Sequence, residues 1–198
     1  MERRQAMAKK ESTFLNMIVT LLIVTFVASS ALGYIYELTK APRAEAMRIK
    51  QTFAIKKVLP EFDNDPLADQ YVLPANDGSG ELSVYPALAG GDSIGAAVKT
   101  FSNNGYGGII ELMVGFNKSG EIIDIAVVNQ KETPGLGTKM ADDSYIKQYR
   151  GLNPGETDIS VKQDGGEIDA ITAATISSRA FSEAVQKGYN TYLKGETK

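Results

Sequence analysis

Hydroxyl side chains at Thr172, Thr175, Ser177 and Ser178 crowd around two alanines in the run Asp169-Ala-Ile-Thr-Ala-Ala-Thr175-Ile-Ser-Ser178. From Ile176 onward, apolar residues recur at Ala180, Phe181, Ala184, Val185, Tyr189, Tyr192 and Leu193. That spacing, counted from Ile176, is one face of a helix. The hydroxyls therefore fall in or just before a helix N-terminus, where unpaired backbone N–H groups and the helix dipole favour an anion, typically a phosphate. Small residues at Ala173 and Ala174 let a ligand approach the backbone closely. The plainer reading is that a Ser/Thr cluster before an apolar helix caps it and does nothing more. A second stretch, Glu132-Thr-Pro-Gly-Leu-Gly137, encodes a tight Pro-Gly turn, which needs no ligand to explain it.

Composition narrows the chemistry. The 198 residues include no Cys, no His and no Trp. Cysteine-ligated iron–sulfur clusters, thiol chemistry and disulfides are excluded, as are histidine-ligated haem, zinc–histidine sites and Ser-His-Asp triads. Redox chemistry in such a chain must be carried by an organic cofactor. The net charge is −3, from 21 basic and 24 acidic residues; residues 1–36 hold four and two of these, so the remainder is more acidic still. Nucleic acid, which wants a basic face, is not an expected partner. No catalytic acid/base residue and no metal ligand set stands out.

The elements that must position the two stretches can be read in order. Residues 1–11 are short, polar and basic, and residues 12–36 follow without a charge. About 20 apolar residues suffice to cross a bilayer. Tyr34 and Tyr36 lie at the far end, where interfacial aromatics are common. A cleaved signal peptide, cut near Ala28–Ala31, and a buried core helix compete with an uncleaved anchor, and the length of the uncharged run argues against both. Residues 37–60 read as a juxtamembrane amphipathic helix ended by Pro60. Residues 61–80 are rich in Asp, Asn, Pro and Gly and read as loop with short structure. Strands are expected at 82–85 and 94–101, with a turn at Gly90–Gly91. Residues 109–116 and 122–129, flanking Asn117–Gly120, read as a β-hairpin. Residues 141–150 resemble a short surface helix, and 159–161 a short strand. The implied fold is α+β, a mostly antiparallel sheet flanked by helices and preceded by one transmembrane helix.

The run Asp169–Ser178 resembles the Asp-x-x-Ser/Thr-Gly-Ala-Thr-x-Ser/Thr motif of the FMN-binding domain. That domain is found in the G subunit of Rnf electron-transport complexes and in the C subunit of sodium-pumping NADH:quinone reductases. In that family the motif's final threonine, Thr175 here, carries FMN through a phosphoester bond. Ala173 stands where the family usually has Gly, and its methyl group disfavours the positive-φ backbone that Gly allows. Glu132–Gly137 resembles the loop that lines the flavin in the same family. The two motifs occur in the family's order, with a hairpin before the first. The loop's chemistry suits a flavin: N–H groups and Thr133 for a polar ring edge, Leu136 for the apolar face, Gly135 and Gly137 for close approach.

The resemblance implies one extracytoplasmic FMN-binding domain over residues 61–198, behind a cytoplasmic N-terminus (1–11), a transmembrane helix (12–36) and the juxtamembrane helix (37–60). It implies a single-pass protein of the cell inner membrane. Cofactor contacts are expected from Thr172, Ala173, Ala174, Thr175, Ile176, Ser177 and Ser178, and from Glu132, Thr133, Pro134, Gly135, Leu136 and Gly137. Thr175 is an attachment point and not a catalytic nucleophile; hydroxyls of Thr172 and Ser177 or Ser178 add donors to the phosphate, and Asp169 holds its loop by accepting backbone N–H bonds. The implied function is electron relay within an ion-translocating ferredoxin:NAD oxidoreductase. The implied partners are its membrane and peripheral subunits, the lipid bilayer and a magnesium-dependent flavin transferase that takes FMN from FAD. The C subunit of the quinone reductase, a free-standing flavin domain, and a membrane-anchored non-redox binding or scaffold module remain as alternatives.

Overall fold

A computed structural model describes residues 13–196; the basic segment 1–11 lies outside the described residues. The first element is a single helix, α1 (Phe14–Val58), where the sequence suggests two in succession. Its N-terminal part is long and apolar enough to cross a bilayer. The hydroxyls there are satisfied within the helix: Thr20, Thr25 and Ser29 donate to the carbonyls of Asn16, Leu21 and Thr25 at 2.7–2.8 Å. Such back-bonding lets a polar side chain sit in an apolar helix without an orphaned donor. Pro42 lies inside the helix and contributes no N–H. The helix ends at Val58, two residues before Pro60.

Residues 48–196 build a five-stranded sheet and the helices on it. The strands are β1 (Tyr71–Pro74), β2 (Glu81–Ala89), β3 (Asp92–Gly105), β4 (Gly108–Asn117) and β5 (Ile122–Asn129). They pair in sequence order, every pair antiparallel, so the sheet is a meander. The hairpin expected from Asn117–Gly120 is β4–β5. The strand expected at 94–101 runs on to Gly105, and β1 emerges from the stretch read as loop.

Both faces of the sheet are buried. Val84, Val98, Leu112, Val114 and Ile125 face a core completed by Phe181, Ala184, Val185 and Tyr192 of α3 (Thr175–Glu196). Tyr85, Ala97, Met113 and Ala126 face the opposite side, where Ala54, Ile55 and Val58 of α1 and Leu59 cover them. Gly115 makes that second contact possible. A Cβ there would sit 1.9 Å from the Val58 carbonyl oxygen, so only a residue without a side chain lets the end of α1 seat on β4.

The stretch read as a surface helix is only one turn of α-helix, α2 (Asp143–Ile146), after a 3₁₀ turn at Gly137–Ala141. It is not on the surface: Tyr145, Ile146 and Tyr149 are buried against Phe181, with ring centroids 5.3 and 5.1 Å from it for the two tyrosines. Burial holds the hydroxyls of both tyrosines neutral well into alkaline pH. The strand expected at 159–161 is a single parallel bridge, Val161 to Ile168.

Candidate functional site

α3 starts at Thr175, so the residue at its N-cap position is Ala174, which has no side-chain acceptor. The first intrahelical bond of this end runs from the Ser178 N–H to the Ala174 carbonyl, at 3.0 Å. The N–H groups of Thr175, Ile176 and Ser177 precede it and are the orphans of a helix N-terminus. Among the described residues no side chain caps them. The cap reading of the hydroxyl cluster therefore fails at the position where it would have to apply.

The hydroxyls divide in their roles. Ser178 is fully buried; its Oγ accepts from the Ile171 N–H at 2.9 Å and donates to the Ala174 carbonyl at 3.0 Å. Ser177, 2 % exposed, donates to Glu132 Oε2 at 2.7 Å. The two serines, suggested with Thr172 as phosphate donors, thus have partners inside the protein. Thr172 is exposed and Thr175 half-buried, and among the described residues neither hydroxyl has a hydrogen-bond partner. Asp169 also departs from expectation: its carboxylate pairs with Lys162 at 2.8 Å. The backbone around it is held by Gln148, whose Oε1 accepts from the Asp169 N–H at 2.9 Å.

Ala173 takes φ of 61°, the left-handed region, alone among the described non-glycine residues. The methyl group does not keep the loop out of that conformation. The turn between Ile171 and Ala174, closed by a 2.9 Å backbone bond, and the buried Ser178 bridge impose it. Ile176, which the helical spacing places on the core face, is instead half exposed and turns toward the site.

The Pro-Gly stretch forms the turn its residues encode. The Thr133 carbonyl accepts from the Leu136 N–H at 3.1 Å, with Gly135 at φ 76°, as a turn with Pro first and Gly second requires. The Thr138 hydroxyl accepts from the Gly135 N–H at 3.0 Å. Glu132 is buried and bridges three segments: Oε2 holds Ser177 of α3, and Oε1 accepts from the Gly107 N–H in the β3–β4 turn at 2.9 Å. Gly137 fits between them. A Cβ there would meet Glu132 Cβ at 2.7 Å and Ser177 Oγ at 2.8 Å.

These contacts bring the two separated stretches into one cavity of about 620 Å³. Glu132, Thr133, Leu136 and Gly137 line it from one stretch, and Ala173–Ser177 from the other, with Tyr106 beside them. Its size is that of a small-molecule site, and its walls combine apolar side chains with unpaired helix N–H groups. An elongated ligand with an anionic end and a flat, partly apolar ring fits this donor set. Of the expected contacts, Thr172, Pro134, Gly135 and Ser178 do not line the cavity; they belong to the segments that do.

Residues 105–190 match the FMN-binding domain family. The G subunit of the ion-translocating oxidoreductase complex of Photorhabdus laumondii is 32% identical over 180 residues, covering 85% of each chain. Its counterpart in Yersinia pestis is 32% identical over 178 residues, again over 85% of each chain. The chain belongs to this G-subunit family. Among solved structures, NqrC of Shewanella oneidensis aligns over 73% of this chain and 72% of its own, at 16% identity and a TM-score of 0.48.

The match to the FMN-binding domain begins at Gly105, and so includes the β3–β4 turn, to which the sequence reading above assigns no site residue. Tyr106 lines the cavity, and the Gly107 N–H holds Glu132 of its wall. Their signal was available: a lone aromatic among three glycines, Gly105-Tyr-Gly-Gly108, is more than a turn needs. A second cavity, of about 470 Å³, runs along Arg179, Glu183 and Lys187 of α3. Its charged groups have partners: Arg179 pairs with Asp164 at 2.6 Å, Lys187 pairs with Asp77 at 3.0 Å, and Glu183 accepts from the Ser102 hydroxyl at 2.9 Å.

Proposed function

We propose that this chain is the electron-relay subunit of an Rnf-type ion-translocating oxidoreductase, with FMN joined to the Thr175 hydroxyl oxygen by a phosphoester. The observation that carries the reading is the placement of Thr175. Its hydroxyl has no partner among the described residues, stands beside uncapped N–H groups at the start of α3, and opens on a cavity shared with the Pro-Gly stretch. Bound there, FMN would supply the reversible one- and two-electron chemistry of a relay.

The residues divide the work. The N–H groups of Thr175, Ile176 and Ser177, with the α3 dipole, offset the phosphate charge. Thr172, exposed at the loop, adds a hydroxyl. Leu136, Ile176 and Ala174 cover apolar ring surface, and Thr133 and the loop N–H groups meet its polar edge. Ser177 acts through Glu132 to hold the two stretches together, and Ser178 acts through Ile171 to fix the loop before α3. Attachment requires a flavin transferase. The Thr175 hydroxyl loses its proton, its oxygen bonds to the FMN phosphorus of FAD, the pyrophosphate bond breaks, and AMP leaves.

The apolar part of α1 serves in this reading as a single-pass anchor in the inner membrane, with the flavin domain on the extracytoplasmic side. A covalent tether suits that side, where a dissociating cofactor would be lost by dilution. The partners are the complex's other membrane and peripheral subunits. The test is to produce the protein with and without a flavin transferase, denature it and image the gel under ultraviolet light. A fluorescent band that needs the transferase and vanishes in Thr175→Ala is expected. A dark band from transferase-containing cells would return the chain to an anchored binding module.

A further inference from the structure

The β3–β4 turn is fixed on both flanks. On one, the Gly107 N–H donates to Glu132 Oε1 at 2.9 Å. On the other, the Ser102 hydroxyl and the Asn104 amide both donate to Glu183 of α3, at 2.9 and 2.8 Å, and the Asn104 N–H donates to Ser102 Oγ at 3.1 Å. Glycines are required here: a Cβ at 105 would lie 2.3 Å from the Gly108 carbonyl oxygen, and one at 107 would lie 2.0 Å from the Lys131 carbonyl oxygen. Between these two glycines stands Tyr106, 72 % exposed, lining the cavity with Leu136, Thr175 and Ile176. Among the described residues its hydroxyl has no hydrogen-bond partner. A turn held by these bonds does not need an aromatic at its tip, and a ring this exposed buries little apolar surface in the fold itself. The ring gains its contacts only when the cavity is filled.

We infer that Tyr106 is a positioning residue for the flavin ring, forming the wall against which the ring packs. This rests on the FMN reading above. Aromatic rings at contact distance favour offset-stacked or edge arrangements, so a tyrosine fixed at one wall limits the tilt of a tethered ring that its phosphoester leaves free to swing. The contact has an optical signature. A phenol ring touching a light-excited flavin passes it one electron and receives it back, with no net reaction, and the emission is lost. A tyrosine that serves only the turn would not quench.

The experiment uses the full chain produced with a flavin transferase, as wild type, Tyr106→Leu, Tyr106→Trp and Tyr106→Phe. Denaturing gels report attachment; emission per attached flavin and visible circular dichroism of the native proteins report the ring's surroundings. The expected result is equal gel bands, weak native emission for wild type and the Trp variant, and emission raised severalfold for the Leu and Phe variants. Phe keeps the wall but is too hard to oxidise to quench, so its dichroism stays near wild type while that of the Leu variant changes. Equal gel bands with unchanged emission and dichroism in the Leu variant would overturn the role of Tyr106 and leave the FMN reading standing. A dark wild-type gel would overturn the FMN reading and this inference with it.

Discussion

Ala173 carries a side chain in a backbone region that residues other than Gly, Asn and Asp rarely occupy. The left-handed conformation costs roughly 1–2 kcal/mol, and a Gly substituted there loses part of that gain to its freer unfolded chain. Ala173→Gly is therefore expected to raise stability by roughly 0.5–1 kcal/mol, read as a higher urea midpoint. Thr175 behaves differently. It is not the N-cap residue, and its hydroxyl holds nothing among the described residues. Thr175→Ala should leave the flavin-free protein within about 0.5 kcal/mol of wild type while abolishing the fluorescent gel band. A capping threonine would cost about 0.5–2 kcal/mol instead, so the same denaturation curve separates the two roles.

α3 does three tasks along its length. Its start presents N–H groups to the cavity, its middle packs Phe181, Ala184 and Val185 into the core, and Lys187 ties it to the β1–β2 loop. Lys187 is almost fully buried; it pairs with Asp77, donates to Ser79 Oγ at 3.0 Å and lies 4.5 Å from the Phe101 ring centroid. Hydrogen bonds from Ser79, then the Lys187 ammonium, hold the Asp77 carboxyl well below the usual carboxylate range. A carboxyl with a folded pKa below its unfolded one stabilises the protein above the unfolded value, about pH 4, and loses that contribution as pH falls further. Asp77→Asn is expected to lower the urea midpoint at neutral pH, because Lys187 is left without its anion. It should also flatten the acid-side decline expected of wild type below about pH 4.

At the scale of the whole chain, α1 contributes to two different environments. Its first part is apolar and lies outside the packed core, whereas Ala54, Ile55 and Val58 close the second face of the sheet. A chain beginning at residue 48 should therefore leave the membrane fraction and keep its urea midpoint. One beginning at residue 61 uncovers Tyr85, Ala97, Met113 and Ala126 and should aggregate or unfold, as circular dichroism and gel filtration would show. The two truncations separate anchoring from folding.

Local pattern was enough for the long apolar N-terminal helix, the β4–β5 hairpin, the Pro-Gly turn and the helix behind Thr175, because each depends on neighbours in the chain: periodicity, turn residues, a helix start. The resemblance to the FMN-binding domain was likewise carried by two short runs of residues. What local pattern missed depends on distant partners. Tyr145 and Tyr149 read as surface residues until Phe181 arrives from 32 or more positions away to bury them. Ile176 matched the core spacing of α3, yet the geometry of the helix start turns it toward the cavity. Ser177 and Ser178 offered hydroxyls to a ligand on paper; Glu132 and Ile171 claim them in three dimensions. Residue order alone was sufficient to single out two stretches that the fold brings to one cavity. Which atoms of those stretches stay available to it was settled by folding, because a side chain's free valence is whatever the rest of the fold leaves unpaired.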